Sequence, residues 1–293
     1  LVNTKIIVNF MKTIDLHNRA ASDVQYNIIT FPDGELHIKF DEIDRKEEYN
    51  IVCRICNAND LFLLMQVGNI LNNNQVEFTI DIMYLMSMRM DRIISFNEAY
   101  SLKLVADMIN SLRARSVRVF HAHSNKTLKL LNNSVDYETY YNNTVYPSTV
   151  KYDILCFPDA GAYKRYVLEN DGKSVNDDDT DIIVLKKKRN LDTGMIEGME
   201  VDTKYSTVSA NNYYSKHDNV RILVTDDLCD AGGTFLGAMN ILQQMYENAS
   251  VDIFVRHMVN PKGVENLSKV YNTVYTTNSY KDWLEDEKLK IID

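Results

Sequence analysis

The stretch Arg221-Ile-Leu-Val-Thr-Asp-Asp-Leu-Cys-Asp-Ala-Gly-Gly-Thr-Phe235 reads as a strand, a glycine turn and the start of a helix. Apolar Ile222 to Val224 runs into two adjacent acids, Asp226 and Asp227. Asp230, Ala231, Gly232, Gly233 and Thr234 follow, and Phe235 to Met245 has helical spacing. Glycines let backbone N–H groups point inward and a helix N-terminus adds its positive dipole end, so such a turn suits a phosphate. The acid pair suits ribose hydroxyls, or a metal ion that neutralises a phosphate. A glycine turn alone is more often a plain helix entry. Two carboxylates on a buried strand end add weight, because they cost stability unless something cationic or hydroxylic meets them.

Outward from this stretch, strand-like and helix-like runs alternate. Thr4–Phe10, Tyr26–Phe31, Leu36–Phe40, Asn50–Ile55, Val76–Leu85 and Val117–Ala122 read as strands in the first half. Leu61–Leu71, Asn97–Leu112 and Lys126–Leu131 read as its helices. Beyond a polar break over Asn132–Thr149, strands are expected at Asp153–Phe157, Asp181–Leu185, Val220–Thr225 and Val251–Val255, with Val274–Thr276 closing the series. Met195–Val201 reads as one arm of a hairpin. Helices are expected at Ala162–Glu169, Phe235–Tyr246 and Val264–Val270. Such alternation predicts parallel sheets covered by helices, with ligands beyond the carboxyl ends of strands. Asp226, Asp159 and His123 fall there. The acidic run Asp177, Asp178 and Asp179 reads as a solvated turn.

Composition narrows the function classes. The 293 residues suffice for two ordinary domains, and 45% hydrophobic residues suffice for packed cores. A net charge of −9 argues against broad nucleic-acid binding. No apolar run is long enough for a membrane span, and the first ten residues lack the marks of a secretory signal. The four cysteines, Cys53, Cys56, Cys156 and Cys229, lie in or beside apolar runs. Cys53 and Cys56 have CxxC spacing, but nothing completes a zinc site. Buried reduced thiols and a cytoplasmic setting are expected.

Further stretches sharpen the reading. Phe31-Pro-Asp-Gly-Glu35 is by itself a hairpin turn. Met83-Tyr-Leu-Met-Ser-Met-Arg-Met-Asp-Arg92 follows a strand. Phe120-His-Ala-His-Ser124 ends another, with His121 and His123 on one face. Pro158-Asp-Ala-Gly-Ala-Tyr-Lys-Arg165 opens the second half, where Lys164 and Arg165 alone read as a solvated basic turn. Leu185-Lys-Lys-Lys-Arg189 is a basic cluster at a strand end. Taken in order, these stretches resemble the ribose-phosphate pyrophosphokinases, and the acid–glycine stretch is similar to the phosphoribosyl-pyrophosphate loop shared with type I phosphoribosyltransferases. The resemblance runs from Phe31 to Ser279, although Arg256, His257 and Met258 and then Asn278 and Ser279 match only weakly.

The resemblance implies an α/β fold of two type I phosphoribosyltransferase-like domains, each a mostly parallel sheet flanked by helices. An ATP-side domain would span residues 1–146 and a ribose-phosphate domain 147–293. It implies magnesium-dependent transfer of the β,γ-diphosphoryl group of ATP to the anomeric hydroxyl of ribose 5-phosphate, leaving AMP. Lys187 and Arg189 would be catalytic, neutralising charge on the transferred group. Phe31, Asp33, Glu35, Arg89, Asp91 and Arg92 would bind ATP, the first three across a subunit interface. Asp226 and Asp227 would hold the 2- and 3-hydroxyls, Asp230, Ala231, Gly232, Gly233 and Thr234 the 5-phosphate, and His123 and Asp159 the metal. A homo-oligomer, dimer or hexamer, is implied, with no nucleic-acid or membrane partner.

Besides Ser87, which stands for a tyrosine, three departures from the family pattern bear on the acceptor. Met90 stands for a glutamine, His121 for an acid and Ala231 for a threonine that grips the terminal 5-phosphate. These make ADP-ribose an alternative acceptor, as in a subfamily encoded by viruses of bacteria that rebuilds NAD, which would place the protein in the host cytoplasm. A non-catalytic regulatory homologue and phosphoribosyl transfer to a base are the remaining alternatives.

Overall fold

In the computed structural model the chain divides into two compact units, Leu1–Asn143 and Thr144–Asp293. The structure describes residues 11–141, 147, 150–168, 180–189, 196–208 and 220–292, with 168, 189, 196 and 197 described through their backbone alone. The strand expected at Thr4–Phe10 and the acidic run Asp177 to Asp179 lie outside these residues.

The first unit begins with β1 (Lys12–Asp15), a hairpin of β2 (Tyr26–Thr30) and β3 (Leu36–Phe40), then β4 (Tyr49–Ile55) and α1 (Ala58–Asn73). It continues with β5 (Phe78–Leu85), α2 (Ser101–Ser111), β6 (Ser116–Val119), α3 (Asn125–Leu130), β7 (Ser134–Asp136) and α4 (Tyr137–Tyr141). Strands β1, β4, β5, β6 and β7 lie in that order as a parallel sheet. Helix α1 starts where it does because Asn57 accepts from the Asn59 and Asp60 amides while Asp60 returns the bond, a capping box. Its buried residues Leu61, Leu64, Val67 and Leu71 recur at helical spacing and face the sheet core.

One polar cluster interrupts that core. Arg118 on β6 donates through Nε to Asp81 on the neighbouring β5. Through Nη2 it donates to Asn50 Oδ1 at 2.6 Å and Thr79 Oγ1 at 3.0 Å. Asn50 and Tyr141 both donate to Asp81 Oδ2, at 2.7 and 3.0 Å. Arg118 is 1% exposed, so the pair survives burial only because each charge is neutralised and hydrogen-bonded.

The second unit contains β8 (Ile154–Phe157), α5 (Ala160–Tyr163) running into a π-helical turn over Lys164–Leu168, β9 (Asp181–Arg189) and β10 (Ile196–Val201). After β11 (Arg221–Cys229) come α6 (Gly233–Met245), β12 (Ser250–Met258), α7 (Pro261–Ser268), β13 (Val274–Thr276) and β14 (Leu289–Ile291). The sheet order is β10-β9-β8-β11-β12-β13-β14, parallel except for antiparallel β10. From β8 the chain steps out to β9 on one side and returns to β11 on the other. That reversal opens a crevice at the carboxyl ends of β8 and β11, where ligands bind in such sheets. Strands β11 and β12 are almost wholly buried, the near-continuous apolar pattern of central parallel strands.

Several expectations are corrected. The polar break over 132–149 holds β7 and α4, because a three-residue strand carries no periodicity of its own and is held by pairing with β6. Likewise β13 does not close the series, since β14 pairs parallel beside it. Strand β9 continues through its lysines to Arg189 because β10 supplies ladder partners there. The expected strand to Ala122 ends at Val119. His121 adopts a left-handed φ of 50° in the turn beyond, so it does not share a strand face with His123. The helix expected at Ala162–Glu169 is instead the short α5 and its π-helical continuation.

Candidate active site

In the second unit, β11 carries Asp226 and Asp227 at its carboxyl end, within the strand and both buried. What meets them is Arg165. Its Nη2 lies 2.9 Å from Asp226 Oδ1 and 2.8 Å from Asp227 Oδ1, with only 16% of its side chain exposed. The Asp227 amide donates to the same Asp226 oxygen at 2.8 Å. Burial, and then the charge of Asp227, push the Asp226 carboxyl well above the usual range, against the pull of Arg165. Burial draws the Arg165 guanidinium down, but Asp227 and Asp226 outweigh it and hold the pKa above its ordinary value. Arg165 is therefore not the solvated basic residue that the stretch taken alone suggests. A lysine–arginine pair after a short turn offered no sign of this by itself, because the geometry after β8 aims Arg165 at the pair.

Asp159, directly after β8, caps α5: its Oδ1 accepts from the Gly161 and Ala162 amides at 2.8 and 2.9 Å. The glycine turn follows β11. Gly232 takes a φ of 87°, which side chains disfavour, and becomes the N-cap of α6. Asp230, Ala231 and Gly233 are exposed there, at the N-terminal end of α6, the dipole end that favours an anion. Helix α7 braces this turn through residues with no motif of their own. Asn260 Nδ2 donates to Asp230 Oδ1 at 2.8 Å, and Asn266 Nδ2 donates to the Ala231 carbonyl at 2.9 Å.

Gly263 of α7 sits so close that a Cβ would stand 2.3 Å from the Asp230 carbonyl, 2.9 Å from Met258 Sδ and 3.0 Å from Cys229 Sγ. Gly263→Ala is therefore expected to displace the turn and cost about 1–3 kcal/mol, the usual range for overpacking. Thermal denaturation checks this, and a melting temperature equal to the parent's would show that α7 yields freely.

Lys187 is exposed on β9 opposite Met199, and Lys186 pairs with Glu200 at 3.3 Å. Arg189 is the last residue of β9, and its side chain lies outside the described residues. The weakly matching residues on and beyond β12 are structural: His257 is fully buried with Nδ1 2.8 Å from Ser279 Oγ, and Asn278 accepts from the Trp283 amide.

In the first unit, Phe31–Glu35 is the tip of the β2–β3 hairpin, closed by Phe31 and Glu35 backbone bonding and by Gly34 at a φ of 89°. Asp33 accepts from the Glu35 amide, and Phe31 is 44% exposed. Phe31 and Glu35 border a cleft of about 290 Å³ that also involves His37, Phe62 and Gln66. After β5, Ser87 is left-handed and Arg89 and Met90 are exposed. Asp91 is buried, accepting from Arg92 Nε and Ser124 Oγ at 2.9 Å each, with Lys126 on its carbonyl. Burial raises its pKa, but those two bonds, helped by the charges of Arg92 and Lys126, bring it below the usual value. Asp91 thus ties the loop after β5 to the loop after β6. His121 lies 3.0 Å from Glu138 of α4, beside half-buried His123.

Among the described residues no group of three or more His, Cys, Asp or Glu side chains gathers to hold a metal, and no helix is long and apolar enough to cross a membrane. None of the four cysteines is in a disulfide. Burial raises Cys56 and Cys229 to about 12, so they are inert thiols.

No family model matches the chain. A ribose-phosphate pyrophosphokinase of Mycoplasma pneumoniae is 23% identical over 279 residues, 91% of this chain and 80% of that protein. Another, of Pyrococcus abyssi, is 26% identical over 286 residues, 94% and 90% of the two chains. The phosphoribosylpyrophosphate synthetase structure from Mycobacterium smegmatis superposes with a TM-score of 0.65 at 18% identity, covering 93% of this chain and 87% of that one. The chain is a homologue of the ribose-phosphate pyrophosphokinases. That family is one of diphosphotransferase enzymes, and its two-unit fold of parallel sheets and helices is the fold seen here.

Proposed function

We propose that the protein transfers the β,γ-diphosphoryl group of ATP to the anomeric hydroxyl of a ribose 5-phosphate unit. The bond from Pβ to the α,β-bridging oxygen breaks, a bond from the sugar O1 to Pβ forms, the hydroxyl proton is released, and AMP leaves. The observation that carries the reading is the acid pair and glycine turn together at the switch point of the second sheet, in a chain homologous to such enzymes along most of its length. Asp226 and Asp227 accept from the vicinal hydroxyls, and the turn from Asp230 to Thr234 cradles the 5-phosphate. Lys187 and Arg189 stabilise charge on the moving group, the main work in phosphoryl chemistry, which needs no protein nucleophile. Phe31, Asp33, Glu35, Arg89 and Arg92 serve ATP, with Asp91 holding the loop of the two arginines, and oligomers bring one chain's hairpin to another's nucleotide.

The donor set fits magnesium in its usual mode, through one or two protein groups with substrate phosphates and water completing the shell. Asp159 of the second unit would take ribose hydroxyls or a second ion, and His123 of the first unit is the residue that would support the nucleotide-bound ion. Bound there, it neutralises charge on the polyphosphate oxygens.

A second reading has its own observation: Ala231 is exposed, and its carbonyl, not its side chain, is used to brace the turn. A methyl there leaves room for a 5-phosphodiester, so ADP-ribose is the rival acceptor. Parallel assays of AMP release with ribose 5-phosphate and with ADP-ribose decide between them, and silence with both sinks the reading. Asp159→Ser separates the two roles of that residue. Serine also caps helices, so stability is expected to change by only a few tenths of a kcal/mol. Loss of the carboxylate is expected to lower turnover by roughly ten- to a hundredfold. Full activity in this variant would leave Asp159 a cap alone.

A further inference from the structure

We infer that Arg165 is the resident counter-ion of the acid pair, committing Asp226 and Asp227 to sugar hydroxyls and keeping divalent metal off them. The pair by its residue types serves either ligand. The geometry decides, because one guanidinium nitrogen bridges Oδ1 of both acids at 2.9 and 2.8 Å, and the Asp227 amide takes the same Asp226 oxygen. Arginine stays protonated, so one unit of positive charge already offsets the acids. A divalent ion approaching the pair meets a cation already seated there, whereas a neutral hydroxyl needs only an acceptor. No third His, Cys, Asp or Glu among the described residues joins the pair to offset that repulsion. Burial of the arginine between the acids makes this arrangement a built one, not a surface contact. Arg165 is thus a positioning residue that selects the ligand class. Calling that ligand a ribose rests on the proposed function; the exclusion of metal does not.

The test follows free Mn²⁺ by electron paramagnetic resonance while it is titrated into the full chain without nucleotide. Arg165→Gln is expected to bind about one more ion per chain than the parent, and Arg165→Gln with Asp227→Asn to lose it. Asp227→Asn alone is expected to leave the parent's Mn²⁺ binding unchanged, and Arg165→Lys, which keeps the charge, to match the parent. In turnover, Arg165→Lys is expected to raise KM for the ribosyl substrate about tenfold with kcat within about threefold, since a strongly hydrated ammonium on a flexible stem does not hold both Oδ1 atoms as the planar guanidinium nitrogen does. Mn²⁺ binding by the parent that weakens in Asp227→Asn, or no gain in folded Arg165→Gln, overturns the inference. Should circular dichroism show Arg165→Gln unfolded, Asp227→Asn against the parent still decides: unchanged binding supports the assignment and weakened binding defeats it. Absence of AMP release by the parent with every acceptor would instead remove the proposed function and leave the metal titration standing.

Discussion

Lys187→Ala is expected to lower turnover by a factor of about a hundred or more while leaving the fold intact. The lysine is exposed on β9 and opposite Met199 of β10, whose thioether lies against Gly237 of α6. Its ammonium is thus not part of a buried network, and its removal falls among exposed substitutions that change stability by no more than about 0.5 kcal/mol. Charge aimed at a transferring phosphoryl group is worth several kcal/mol, because it is held in place before the reaction begins. Strand alternation supplies the control: Lys186 and Lys188 project to the other face from Lys187, and Lys186 pairs with Glu200. Lys188→Ala is expected to keep turnover within about threefold of the parent by the same surface rule. AMP release under saturating ATP and acceptor makes the comparison. A near-normal rate in Lys187→Ala would take the residue out of the mechanism.

Asp81→Ala is expected to cost the first unit about 3–5 kcal/mol, the loss typical of leaving a buried charge without its partner. Arg118 would keep Asn50 and Thr79 as acceptors but no counter-charge, with Tyr140 packed over its guanidinium at 4.6 Å. The pair is not itself a large source of stability, since desolvation of two charges offsets most of their attraction. Replacing both, Asp81→Leu with Arg118→Met, is therefore expected to recover most of the loss. Urea denaturation of the three variants provides the measurement. A cost below about 1 kcal/mol for Asp81→Ala would mean that water reaches Arg118 and the charge is not buried at all.

The loop segments show where reading a sequence works and where it stops. The hairpin tip Phe31–Glu35 was legible because Pro-Asp-Gly specifies a turn through local backbone preferences alone, and Gly34 takes the expected positive φ. β7 and β14 were not legible, since both are short and lie in polar or charged stretches, and they are strands because a neighbouring edge pairs with them. The basic run on β9 misled for the opposite reason. The run reads as the end of a strand, while its backbone stays in the ladder because β10 pairs with it.

What the amino-acid order determined alone is the alternating α/β class, the glycine turn after β11 and the presence of two adjacent acids at its strand end. These follow from interactions between residues close in the chain: apolar periodicity, glycine freedom and helix capping. What only the tertiary structure decided is which cation meets the acids. Arg165 and the pair are 61 and 62 residues apart, and the sheet order that seats β11 beside β8 brings them together. The bracing of the turn by Asn260, Gly263 and Asn266 was equally hidden, because asparagines and a glycine acquire that role only when α7 packs against a carbonyl from another element.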